Sequence, residues 1–144
     1  MESNDELHLK FSNPTVKDIG EEVEKFKDNE STYNKKGIYT LKCDKRDLGT
    51  TEAYGKNIGK SNSISNWVWP AHSADERYYV GSSKRVGYRI LQHIHQDGAQ
   101  FTTVFPPAKI VNIEWVEAST NNLRELERER AEELKEEDIF VFQA

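Results

Sequence analysis

The sequence predicts an α+β fold: a small three-stranded, mostly antiparallel sheet flanked by helices, with an extra helix on the N-terminal side. Three observations point there. Residues 37–43 alternate apolar or β-branched residues with polar ones, 77–82 read as a second strand ending at a glycine, and no helix is read between them, so they are expected to form an antiparallel pair. Residues 109–116 show the strand pattern once more. Around the strands, apolar residues recur at three- and four-residue spacing, as in helices with one buried face.

Residues 1–12 read as a polar arm. Asn13-Pro14 then opens a helix, with Asn as N-cap and Pro at the first helical position, and Val16, Ile19, Val23 and Phe26 form its apolar stripe. Residues 1–34 are thus an arm and amphipathic helix, and 35–144 form the main domain. In the first strand, Gly37-Ile38-Tyr39-Thr40-Leu41-Lys42-Cys43, the residues Ile38, Thr40 and Lys42 share one side. Residues 44–76, rich in Gly, Ser, Asn and charge with no sustained period, read as a long loop or insertion. The second strand ends at Gly81-Ser82.

A helix over 85–95 turns Val86, Ile90, Leu91 and Ile94 inward, and Gln96-Asp97-Gly98 stops it because glycine tolerates the left-handed C-terminal position. After the loop Phe105-Pro106-Pro107 comes the third strand. Thr120-Asn121-Asn122 caps a last helix running to about Glu137. Ile139-Phe140-Val141-Phe142 is too apolar for a free tail and is expected to return to the core as a strand or extended segment.

A chain of 144 residues fits one domain and is long enough to bury a core. No apolar run of about 18 residues is present to span a membrane, and the acidic start does not read as a signal peptide. A single cysteine, Cys43, excludes an internal disulfide framework and fits a reducing compartment, with cytoplasm the default expectation. The net charge of −5 is unevenly spread. Residues 1–30 hold nine acids and four bases, and 114–144 hold ten and four, whereas 31–113 hold twelve bases and six acids. A polyanion responds to that local excess, not to the total, although a solvated mixed surface reads equally well from charge alone.

Phosphodiester hydrolysis needs an activated water, a cation facing the developing charge and stabilisation of the leaving oxygen. Three places supply candidates. Tyr39 and Tyr79, if their strands pair, sit near one face beside a basic helix, where cations favour a phenolate or a polarised hydroxyl. Both also read as ordinary strand aromatics. Arg89 lies at the apolar boundary of its helix and can fork a phosphate, or it is merely solvated. His93, one turn on, can relay a proton or be a satisfied structural histidine. His93 and His95 diverge around the helix and make no zinc chelate. Glu127 falls within the stripe Leu123, Leu126, Ala131 and Leu134, away from Glu125, Glu129, Glu132 and Glu136. An inward carboxylate is costly unless paired or metal-bound, so Glu127 is either a Mg²⁺ ligand or a salt-bridged boundary residue.

Gly37-Ile38-Tyr39 and Tyr79-Val80-Gly81 together resemble the paired motifs of the GIY-YIG nuclease superfamily. The resemblance continues through Arg89, ten residues after Tyr79, then His93, a strand and a late-helix glutamate, Glu127. It covers roughly residues 36–136. It implies that Tyr39 acts as, or with, the general base on the attacking water, that Arg89 contacts the scissile phosphate and that Glu127 holds a single Mg²⁺ or Mn²⁺, with Tyr79 and His93 supporting. Two features depart from the pattern. The family joins its motifs by a short hairpin, whereas 39 residues lie between Tyr39 and Tyr79 here, and Trp67-Val68-Trp69-Pro70 in that insertion either caps the core or covers the site. Some members carry a lysine three positions after the second tyrosine, where this chain has Ser82, with Lys84 two further on.

The resulting expectation is a metal-dependent DNA endonuclease domain, with Lys84, Arg85 and Arg89 on nucleic acid, and it requires Tyr39, Tyr79, Arg89, His93 and Glu127 to converge on one pocket. A nucleic-acid-binding module that cuts weakly or not at all, and a protein-interaction domain using the acidic helices, are the alternatives.

Overall fold

The computed structural model describes residues 35–58, 64–94 and 99–144. The expected N-terminal arm and helix, His95 and the Gln96-Asp97-Gly98 stop lie outside the described residues. Strand β1 is Gly37–Cys43, β2 is Glu76–Ser83, β3 is Pro107–Trp115 and β4 is Ile139–Gln143. The described helices are α1 (Leu48–Ile58), α2 (Val68–Ser73), α3 (Val86–Ile94), α4 (Gln100–Val104) and α5 (Leu123–Leu134).

The sheet has four strands in the order β3-β1-β2-β4, not three. β1 pairs antiparallel with both β2 and β3, as expected for strands joined without a crossover in the same sense. The fourth strand is the apolar segment 139–142 extended by one residue, and it runs parallel to β2 because α5 intervenes as the crossover. Tyr79 stands opposite Phe142 and Val80 opposite Gln143 in that pairing.

Alternation along β1 divides the molecule into two layers. Tyr39 and Leu41, with Tyr79 across from Leu41, face the larger core, which includes Val86, Ile90 and Ile94 of α3 and Phe101 and Val104 of α4. Ile38 and Val80 face the other way and pack against Ala131 of α5. The glutamates 125, 129, 132 and 136 are exposed, as the helical period requires.

The segment 44–76 is not a loop throughout, since α1 and α2 form inside it. Asp47 caps α1, accepting from the Thr50 amide at 2.7 Å and from the Thr50 hydroxyl at 3.0 Å. The missing apolar period is explained by tertiary support: Trp67 packs its ring 5.4 Å from those of Phe101 and Phe142. Trp69 is more exposed, beside His72. The tryptophan pair is therefore divided, one capping the core and one at the surface. The stems of the segment meet, because Cys43 is the register partner of Arg77. Arg77 is buried and donates to three backbone carbonyls, of Ala71 at 3.0 Å, Cys43 at 3.1 Å and Ala74 at 2.8 Å, which ties α2 to the sheet. Among the described residues no helix is long and apolar enough to cross a membrane.

Candidate active site

Strand pairing brings the two tyrosine motifs face to face. Tyr39 is the register partner of Gly81, and Tyr79 lies two residues back along the same face. A Cβ on Gly81 would meet the Tyr39 hydroxyl at 2.6 Å and its ring at 2.7 Å, so the second motif needs a glycine to let the phenol lie across β2. The first-motif glycine, Gly37, is required by a different approach: a Cβ there would meet the Glu114 carbonyl oxygen at 2.7 Å.

Helix α3 completes the group. The apolar residues Val86, Ile90 and Ile94 fix its rotation, which points His93 inward, fully buried. The Tyr39 hydroxyl and His93 Nε2 are 2.7 Å apart, and His93 Nδ1 lies 2.8 Å from Thr102 Oγ1 on α4. The Thr102 hydroxyl donates to the Ala99 carbonyl at 3.2 Å, so its oxygen accepts from Nδ1–H. That assigns the neutral tautomer with Nε2 unprotonated, and Tyr39 donates to it. The ring of Tyr79 sits edge-on to His93, with centroids 4.8 Å apart, and stacks on Phe142 at 5.9 Å. Tyr79 thus belongs to the core and borders the group at once.

Burial pushes the Tyr39 phenol well above its ordinary value, and Tyr79 raises it further, while the charge and hydrogen bonding of Arg89 pull it down. Burial also raises Tyr79, again against Arg89. Desolvation outweighs the guanidinium, so the expectation of a favoured phenolate is corrected: both residues are neutral phenols, and only the polarised-hydroxyl form remains. His93 is pushed down to about 3, first by burial and then by Arg89. Arg89 itself is half-buried and donates to Gln92 Oε1 at 2.9 Å.

Glu127 is buried, only 3 % exposed, as its place in the apolar stripe predicts. It accepts from Ser82 Oγ at 2.7 Å and from Gln143 Nε2 at 3.2 Å. Strand alternation sends the side chains of Gly81's neighbours to the α5 face, so Glu127 meets β2 from the side opposite Tyr39 and Tyr79. Tyr39, Tyr79, Arg89 and His93 thus come together as a cluster on one face of the sheet, and Glu127 stands on the other. Its negative charge nevertheless reaches both phenols, raising each. Ser82 is the β2 residue that donates to Glu127.

Among the described residues no group of three or more His, Cys, Asp or Glu could hold a metal. Glu127 beside the Ser82 hydroxyl is a hard-oxygen pair of the chemical kind Mg²⁺ takes, and both of its carboxylate oxygens already accept hydrogen bonds. The residues that would hold the ion are Glu127 and Ser82. Lys84 and Arg85 are exposed just before α3, and the Arg85 guanidinium lies over the Tyr88 ring, 5.1 Å from its centroid. Thr102 and Gln143 were invisible to sequence reasoning. Both act through long-range packing, and neither has a local pattern that marks it.

No protein-family model, curated protein or solved structure matches the chain.

Proposed function

We propose that the chain is a metal-dependent endonuclease of the GIY-YIG type, hydrolysing DNA phosphodiester bonds. The observation that carries this reading is the buried Tyr39–His93 hydrogen bond of 2.7 Å with Arg89 acting on both partners. Two uncharged proton-handling groups beside a guanidinium can relay a water's proton and bind a phosphate, two of the tasks in phosphodiester hydrolysis. Mg²⁺ or Mn²⁺ would be held by Glu127 and Ser82, on the other side of β2 from Tyr39, and would supply Lewis-acid positive charge. Arg89 binds the phosphate with its planar fork. Tyr39 takes the proton of the attacking water as it passes its own to His93 Nε2, the new P–O bond forms, the bond to the leaving oxygen breaks, that oxygen takes a proton from solvent, and His93 returns its proton to solvent through Tyr39. A bound phosphate would offset the charge of Arg89, the lesser of the two causes that hold His93 low, while burial, the larger, remains. Thr102 accepts from the Nδ1–H before and after the proton transfer and so holds the ring's orientation.

The placement of Glu127 behind β2, with its oxygens hydrogen-bonded, favours a second reading: a module that binds nucleic acid without cutting it. Nicking of a supercoiled plasmid separates the two. Nicking that needs Mg²⁺ and is lost in Glu127→Gln supports the nuclease. DNA binding with a steep salt dependence and no nicking supports the module. No binding at low salt removes both and leaves a protein-interaction domain.

A further inference from the structure

At one end of the sheet, where Gly37 lies between Ser83 and Trp115 in register, a cleft of about 880 Å³ opens. Lys35 and Lys36 line it from before β1, Lys84 from after β2, and Trp115, Glu117 and Ala118 from the end of β3. In a chain of net charge −5, three lysines against one acid in a single concavity are a local reversal of sign. Concave walls of one charge concentrate field lines and counter-ions.

The cleft is also held in shape. Lys36 Nζ donates to the carbonyls of Ala118 at 2.7 Å and Thr120 at 2.6 Å, which pins its charge to the wall and leaves one of its three protons unassigned to them. The Lys36 carbonyl accepts from the Val116 amide and the Lys35 carbonyl from the Val86 amide, both at 3.1 Å. The second of these bonds joins the cleft to the first residue of α3, the helix that carries Arg89 and His93. Tyr39 and Gly81 lie only two residues in from the same end of β1 and β2, or about 7 Å along a strand.

We propose that this cleft is a second phosphate-binding site, holding the nucleic-acid backbone beside the Tyr39–His93–Arg89 group and so setting the direction in which the strand leaves it. The identity of the ligand rests on the nucleic-acid reading above. Lysine suits the role, because a backbone track needs point charges and not a geometric fork, and Lys35 and Lys84 present theirs from exposed positions.

The test uses the full chain, with Lys35→Gln/Lys84→Gln beside the unaltered protein. Both lysines are exposed, so thermal unfolding of the double variant is expected to match the parent. Affinity for a short fluorescein-labelled duplex is measured in EDTA at several KCl concentrations, and KM for plasmid nicking in Mg²⁺. The slope of log K against log salt is expected to fall by about 0.9 for each lost phosphate contact, with a rise in KM. An unchanged slope and KM overturn the cleft while leaving the nuclease standing. A reduced slope in a protein that never nicks keeps the cleft and removes the nuclease. Failure of the unaltered protein to bind the duplex at low salt overturns the cleft outright.

Discussion

The hydroxyl of Tyr39 occupies the space in which a side chain on Gly81 would begin, at 2.6 Å from the position of a Cβ. The phenol cannot retreat, because its ring is buried and its oxygen is bound to His93. Gly81→Ala should therefore destabilise by about 1–3 kcal/mol, the usual result of overpacking a full core, and should lower nicking more than it lowers the unfolding midpoint. Gly49→Ala, whose nearest new neighbour is Asp47 Oδ1 at 3.7 Å, is the control and should leave both unchanged or slightly raise stability. Urea unfolding and plasmid nicking on the two variants check the contrast.

Tyr39→Phe keeps the ring and removes the proton. The variant loses the buried Tyr39–His93 hydrogen bond, at a cost of roughly 1–3 kcal/mol. If the pair handles the proton of the attacking water, kcat should fall by about 10²–10⁴ with little change in duplex affinity. Thr102→Val, which cannot accept from Nδ1–H, should give part of the same loss. A Tyr39→Phe protein that nicks at the parental rate would remove the phenol from the reaction.

The pH dependence of stability follows from His93. Its folded value, about 3, lies below the 6.5 of an unperturbed histidine, so the unfolded chain binds the proton first. The stabilisation is whole above about pH 6.5 and is lost as pH falls toward 3, with a slope of up to about 1.4 kcal/mol per pH unit. Tyr39 works in the opposite sense: its raised value contributes stability that is present below pH 10 and lost as pH rises above it. Denaturant unfolding across this range should show a shallower acid limb in His93→Gln than in the parent.

Arg77 makes a prediction about fold alone. With three carbonyls to satisfy at the foot of the insertion, Arg77→Met should cost roughly 2–4 kcal/mol, since two buried acceptors and one part-buried acceptor lose this donor. Duplex affinity per folded molecule, measured below the unfolding transition, should be unchanged, because Arg77 sits at the opposite end of β2 from Gly81 and Ser82.

Much of the tyrosine–histidine group was legible because its members sit at short, periodic spacing. Strand alternation gives Tyr39 and Tyr79 a common face, and the turn between residues 89 and 93 gives Arg89 and His93 a common side. Glu127 was correctly read as inward, but the helical period says only that a residue faces the sheet, not which layer of the sheet it faces. That depends on the crossover connecting β3 to β4, and the parallel pairing of β4 with β2 has no local sequence signature. The phenolate expectation weighed the charge of Arg89 and missed the depth of burial, which is a property of the whole core. α1 and α2 escaped notice because their stability comes from Asp47 capping and from Trp67 packing on distant aromatics, not from their own periodicity.

The pairing of Cys43 with Arg77 makes the intervening segment a bulb on a closed neck: topologically, the two strands would remain a hairpin if it were replaced by a tight turn. Energetically it is fused to its host, since Trp67, Val68 and Ala71 are part of the same hydrophobic cluster as Phe101 and Phe105. Excision would thus spare the connectivity and strip an aromatic wall, so a minimal version of this domain needs new apolar cover at Phe101 and not merely a shorter connection.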